Sequence, residues 1–215
     1  MPITGQFHLP IGFELTAVFL FAMSGALLAI NNRYDIVGVF VLALVTAVGG
    51  GLVRDLFFLS QGPPLVLQEE RYFDVVALAA VLCLILGTHV SRFRLVFLLV
   101  DALGLGIYAV VGTQRALDFG LQAFPAAFVG LANAAGGSVL RDVLTQKETL
   151  LFQPGEFYVL AAAAGISVFI GLAYWGRMPA QDAAFWSIGT TFLLRMAAVS
   201  FNWKTSAARP LLGER

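Results

Sequence analysis

The sequence predicts an all-α membrane protein of seven transmembrane helices, built as two inverted three-helix repeats plus a seventh helix. Three observations carry this. First, 59% of the 215 residues are hydrophobic and only 12% are charged, whereas soluble domains carry roughly 25% charge. Second, apolar runs near the ~20 residues a spanning helix needs recur along the whole chain. Third, Gly49-Gly50-Gly51-Leu52-Val53-Arg54-Asp55 returns 87 residues later as Gly136-Gly137-Ser138-Val139-Leu140-Arg141-Asp142.

The first span runs over about 12–30 and closes at Asn31-Asn32-Arg33. The second covers about 36–59, before the turn Gln61-Gly62-Pro63-Pro64. The third, fourth and fifth follow at about 72–90, 95–114 and 122–145. The sixth, about 157–175, lies between Gln153-Pro154-Gly155 and Gly176-Arg177-Met178-Pro179, and the seventh covers about 183–202. Glycine, proline and asparagine clusters of this kind mark turns. The chain reads as one integral membrane domain over 1–215, with repeat one at about 12–90 and repeat two at about 95–175. With the N-terminus outside, the inner side holds Arg33, Arg92, Arg94, Lys147, Lys204, Arg209 and Arg215, against Arg71, Arg115 and Arg177 outside. Basic residues favour the cytoplasmic side, so the C-terminus is expected inside.

Sliding the chain by 87 aligns the first two spans with the fourth and fifth without a gap. Gly25 falls on Gly112, Thr46 on Asn133, and the acidic Glu14 on the acidic Asp101. The third span opens Tyr72-Phe73 and the sixth opens Phe157-Tyr158. Three helices per copy means that the second copy enters from the opposite side. Inverted repeats of this kind build transport proteins with a site near the midplane.

Each interior glycine weakens a helix by about 1 kcal/mol relative to alanine. The second and fifth spans are therefore expected to be kinked or unwound at Gly49, Gly50 and Gly51, and at Gly136 and Gly137. Irregular backbone in a membrane must be buried or line a wet cavity. The competing reading of such glycines is close helix packing. Arg54, Asp55, Arg141 and Asp142, with Ser138, Thr46 and Asn133, complete the expected pore or gating set. Neighbouring residues point about 100° apart on a helix, so a bond within each Arg-Asp pair is not required. Inversion carries Arg54 and Arg141 toward opposite faces, which disfavours an Arg54–Asp142 pair and leaves interfacial anchoring as their competing role. Asp101 and Arg195 lie at similar inner depth and are expected to form an ion pair, since charges inside a bilayer seek partners.

Other chemistry is sparse. Thirteen basic residues balance thirteen acidic ones, which argues against a nucleic-acid partner. No phosphate-binding loop, metal cluster or hydrolytic triad is present, so the chain reads as neither an enzyme nor a cofactor protein. The single Cys83 permits no intrachain disulfide and reads as a small buried hydrophobe. His8 and His89 are expected at membrane interfaces. The first ten residues carry no Lys or Arg, so no cleavable signal peptide is evident.

Two GGxxxRD-type segments in a seven-helix chain of this length resemble the prokaryotic relatives of the trimeric intracellular cation channels, a bacterial family also described as glycine transporters. Ser24-Gly25-Ala26, Asp101-Ala102-Leu103-Gly104 and Val111-Gly112-Thr113-Gln114 extend the resemblance, which fades after about residue 178. The resemblance implies a homotrimer in a bacterial or archaeal plasma membrane, surrounded by lipid. It implies a pore in each protomer, lined by the second and fifth spans and permeable to K⁺ and Na⁺. Ser138 departs from the pattern by replacing a third glycine. The residues themselves leave the solute's sign open, because one arginine per repeat suits a carboxylate at least as well as a cation. A passive monovalent cation channel is the leading reading. A secondary transporter for a small, glycine-like solute is the alternative, and a structural membrane subunit is a third.

Overall fold

In a bilayer a helix satisfies every backbone polar group within its own segment, and the apolar runs fold accordingly. The computed structural model describes residues 9–59, 62–86, 93–149 and 157–203. His8, His89, Arg92, Lys204, Arg209, Arg215 and the turn Gln153-Pro154-Gly155 lie outside the described residues. Helix α1 spans Ile11–Asn31 and α2 spans Ile36–Val53, continuing as a π-helical turn over Arg54–Leu59. A short α3 (Leu65–Gln68) precedes α4 (Arg71–Leu86), α5 (Phe93–Asp118) and α6 (Ala123–Leu144). Helix α7 (Tyr158–Phe169) also ends π-helically, over Ile170–Trp175, and α8 covers Ala180–Ser200.

Six of these helices are long and apolar enough to cross a membrane, and α4, described over 16 residues, makes the seventh expected span. Only α3 was not anticipated. Pro64 precedes it, with the backbone angle proline imposes before a helix, and the Asp55 carboxylate accepts a hydrogen bond from the Leu65 N–H at 3.1 Å. The carboxylate thus ties this segment to the end of α2.

Local details repeat with the 87-residue spacing. Arg33 and Gly120 both take left-handed backbone angles, with φ of 59° and 94°. Each is followed by the same closing bond, from Tyr34 N–H to Ala29 O and from Leu121 N–H to Ala116 O, at 3.0 Å. Helices α1, α2, α5 and α6 form the centre, with α1 and α6 each packed on both α2 and α5. Helix α4 lies against α1, while α7 and α8 lie against α5. Cys83, on α4, is buried against α1. Large apolar side chains such as Phe57, Phe124 and Trp175 remain exposed on the outer surface, as lipid or a second copy would require.

Of the two forms expected at the glycine runs, kinked or unwound, the helices are not unwound. Helix α2 keeps α-helical form through Gly49, Gly50 and Gly51, and departs from it only from Arg54 onward. Helix α6 is α-helical straight through Gly136 and Gly137. No freed carbonyl or N–H groups therefore face a solute at these glycines. Their lack of a side chain is used for close approach instead.

Candidate functional site

The two helices meet backbone to backbone. A Cβ built on Gly50 would fall on the carbonyl oxygen of Asn133, and one on Gly137 would fall on that of Thr46. Gly136 is equally confined, its Cβ lying 2.9 Å from the Gly50 Cα. The contacts are reciprocal: Gly50 and Gly137 are equivalent by the repeat, as are Thr46 and Asn133. One level away, a Cβ on Gly25 would sit 2.5 Å from Thr46 Oγ1, and one on Gly112 would sit 2.6 Å from Asn133 Cβ. Reciprocity of this kind means that a two-fold relation passes through the crossing. Near it Phe21 and Tyr108, also equivalent, stack with ring centroids 5.0 Å apart. The Tyr108 hydroxyl donates to the Ala47 carbonyl, and Asn133 Nδ2 donates to the Tyr108 carbonyl at 2.7 Å.

Each half carries one fully buried arginine held by two carboxylates. Arg54 Nη2 lies 3.1 Å from Glu14 Oε1, and its Nε lies 2.7 Å from Asp55 Oδ1. Arg141 Nη1 lies 2.8 Å from Asp101 Oδ1, and its Nε lies 2.9 Å from Asp142 Oδ1. The arginines are 0% and 1% exposed, which excludes interfacial anchoring for either. Both Arg-Asp neighbours do bond internally, because the long arginine side chain folds back to bring Nε beside the next carboxylate. Burial of this kind demands pairing, since an isolated ion in low dielectric is prohibitively costly.

Asp101 ion-pairs with Arg141, a partner that its depth in the sequence did not suggest. Depth alone could not show that the packing of α5 on α6 brings Arg141 to Asp101. Arg195 is nevertheless in the same neighbourhood. Its guanidinium lies 5.0 Å over the Tyr158 ring, and the Tyr158 hydroxyl donates to Ser138 Oγ at 3.1 Å.

The two clusters are not copies in every detail. Arg115 joins the first, with Nη2 2.5 Å from Glu14 Oε2, and is 32% exposed in its side chain. The second-half cluster has Ser24, which accepts from Arg141 Nη1 at 2.5 Å and donates to Asp101 at 3.4 Å. Their counterparts by the repeat are the apolar Leu28 and Val111. A polar cavity of about 350 Å³ reaches the first cluster, lined by Asp55, Gln68, Gln114, Arg115 and Asp118 among others.

The sequence pointed to both arginines and both neighbouring aspartates but left Glu14, Arg115, Ser24, Tyr108 and Tyr158 out of the site. The alignment of Glu14 with Asp101 was the available signal for the first. Among the described residues no group of three or more His, Cys, Asp and Glu side chains could hold a metal ion.

A family model described as Glycine transporter matches residues 12–88 and again 98–174. The chain belongs to the glycine transporter family. Each matched segment contains one complete arginine cluster, Glu14 with Arg54 and Asp55 in the first, Asp101 with Arg141 and Asp142 in the second. The chain is 39% identical to a membrane protein of Deinococcus radiodurans over 153 residues, 71% of either chain. It is 30% identical to the inner membrane protein YadS of Escherichia coli over 192 residues, covering 89% of this chain and 92% of that one. Among solved structures it is similar to a trimeric intracellular cation channel orthologue from Rhodobacter sphaeroides, at a TM-score of 0.83 and 31% identity over 89% of this chain and 97% of that one.

Proposed function

We propose that this member of the glycine transporter family is a passive monovalent cation channel, conducting K⁺ and Na⁺ through each protomer of a homotrimer. The path runs beside the α2–α6 crossing, past Arg54 and Asp55 on one side and Arg141 and Asp142 on the other. The chain sits in a bacterial or archaeal plasma membrane, N-terminus outside, with lipid against its outer apolar faces. The similarity to a cation channel orthologue across nearly the whole fold supports the coarse reading. The observation that carries it is the pairing of both arginines. Each already has two carboxylate partners within 3.1 Å, so the charge of each is already neutralised and a substrate carboxylate would have to compete with them. That weighs against the alternative of a carrier for a glycine-like solute, which would have to displace an internal ion pair in order to bind.

Purified protein in planar bilayers separates the two. Unitary K⁺ currents far above carrier turnover are expected. Saturable, ion-coupled solute uptake without unitary current would overturn the channel reading in favour of the carrier.

Arg115 gives a further expectation. It lines the 350 Å³ cavity, and Arg115→Leu installs the residue type found at its counterpart, Leu28. Loss of a positive charge there raises the local cation concentration. Unitary K⁺ conductance should rise by about twofold at low ionic strength. The gain should fade near 1 M salt, where screening shortens to roughly 3 Å. A gain independent of salt would mean that Arg115 acts sterically.

A further inference from the structure

The two arginine clusters differ at one atom that the repeat makes conspicuous. In the second half, Ser138 supplies a hydroxyl that donates to the Ala135 carbonyl at 2.9 Å and accepts from Tyr158 at 3.1 Å. Its counterpart in the first half is Gly51, which has no side chain to offer. Tyr72, second residue of α4 as Tyr158 is the first of α7, is 4% exposed, and its hydroxyl lies near Glu14 without a well-formed hydrogen bond to protein. Arg54 Nη1 is likewise buried without one. Both residues line one small cavity, together with Glu14, Gly51, Asp55 and Tyr108. Its volume is about 10 Å³, close to the least that holds one water molecule.

We propose that a single buried water completes the first cluster, bridging Arg54 Nη1 and Tyr72 Oη and meeting the tyrosine as the Ser138 hydroxyl meets Tyr158 in the second half. The chemistry of the lining selects this occupant. Arg54 presents an N–H and Tyr72 an O–H, so the site asks first for an acceptor. Glu14 and Asp55 are acceptors within the same lining, and they receive the hydrogens that the occupant itself carries. An anion would face two carboxylates, and a cation would face the Arg54 guanidinium. A neutral molecule of one heavy atom that both donates and accepts satisfies all four groups. Buried waters commonly make about three such bonds.

The site can be altered without disturbing the fold. A Cβ on Gly51 would find nothing nearer than Arg54 Nη2 at 3.8 Å, in contrast to the closed positions at Gly50 and Gly137. The test is an experimental structure near 2 Å resolution of the full chain as wild type, Gly51→Ala and Gly51→Ser. A discrete density peak within hydrogen-bond distance of both Arg54 Nη1 and Tyr72 Oη is expected in the wild type and in Gly51→Ala. In Gly51→Ser the peak should vanish, and the new hydroxyl should meet Tyr72 Oη as Ser138 meets Tyr158. Three results would each overturn the proposal. One is a wild-type structure without the peak, its Tyr72 hydroxyl turned onto Glu14. Another is a peak that persists beside the new serine hydroxyl. The last is anomalous density at the site after a bromide soak, which a water cannot give. The wild-type crystal decides the matter even if neither variant folds.

Discussion

Gly50→Ala should leave little folded protein in the membrane, while Gly51→Ala, one residue on, should be tolerated. The added carbon is the same in both. At Gly50 it lands on the Asn133 carbonyl oxygen, a backbone atom of the facing helix that cannot rotate aside. The helices must separate instead, which loosens the Asn133–Tyr108 and Tyr108–Ala47 bonds at the crossing. Overpacking a well-filled interior costs about 1–3 kcal/mol and at times more. A clash between backbones belongs at the upper end or beyond. Gly137→Ala should behave as Gly50→Ala does, because its carbon meets the equivalent carbonyl of Thr46. At Gly51 the nearest atom is 3.8 Å away, and the gain in helix propensity of about 1 kcal/mol is free to act. Detergent-extracted yield, gel-filtration profile and thermal melting check this. Gly50→Ala at wild-type yield and melting temperature would show that the crossing has slack.

Removing one buried arginine should be the second large effect, and the two arginines should differ. Arg141→Met strands Asp101 and Asp142, both nearly inaccessible to solvent. Breaking a buried pair by deleting one partner costs about 3–5 kcal/mol, because the remaining charge stays desolvated. Arg54→Met should cost less, since Arg115 still holds Glu14. Adding Asp101→Asn to Arg141→Met should recover part of the loss, a coupling that a double-mutant cycle reads directly. The coupling of Asp101 to Arg141 should exceed its coupling to Arg195. Equal melting temperatures for the two arginine variants would remove the supporting role given to Arg115.

Most of the helices were legible because apolar runs and turn residues specify them locally. Six of the expected spans match observed helices within a few residues, and the described part of α4 falls within the third. The exception, α3, is four residues long, too short for any periodicity to announce it. The site was legible in part. The recurring Gly-Gly and Arg-Asp positions located the crossing and both arginines, and aligning Glu14 with Asp101 held the partner information. What the sequence could not supply was direction around a helix. Depth pointed from Asp101 to Arg195, and only the packing of α5 against α6 brings Arg141 to the same carboxylate. The glycines misled for a related reason. Propensity counts the cost of a glycine within one helix, whereas the contact that repays it comes from a second helix 87 residues away.

The carboxylates that neutralise each arginine come from its own half of the chain. Glu14 and Asp55 serve Arg54, and Asp101 and Asp142 serve Arg141. A half-length ancestor would therefore have entered the bilayer with its arginine already matched. Its Gly-Gly face would have fitted an identical copy inserted the other way up. The present chain has the anatomy of two such ancestors joined end to end. Arg115 on Glu14, and Ser24 on Asp101 and Arg141, are contacts without a counterpart, and they record where the joined copies have since diverged.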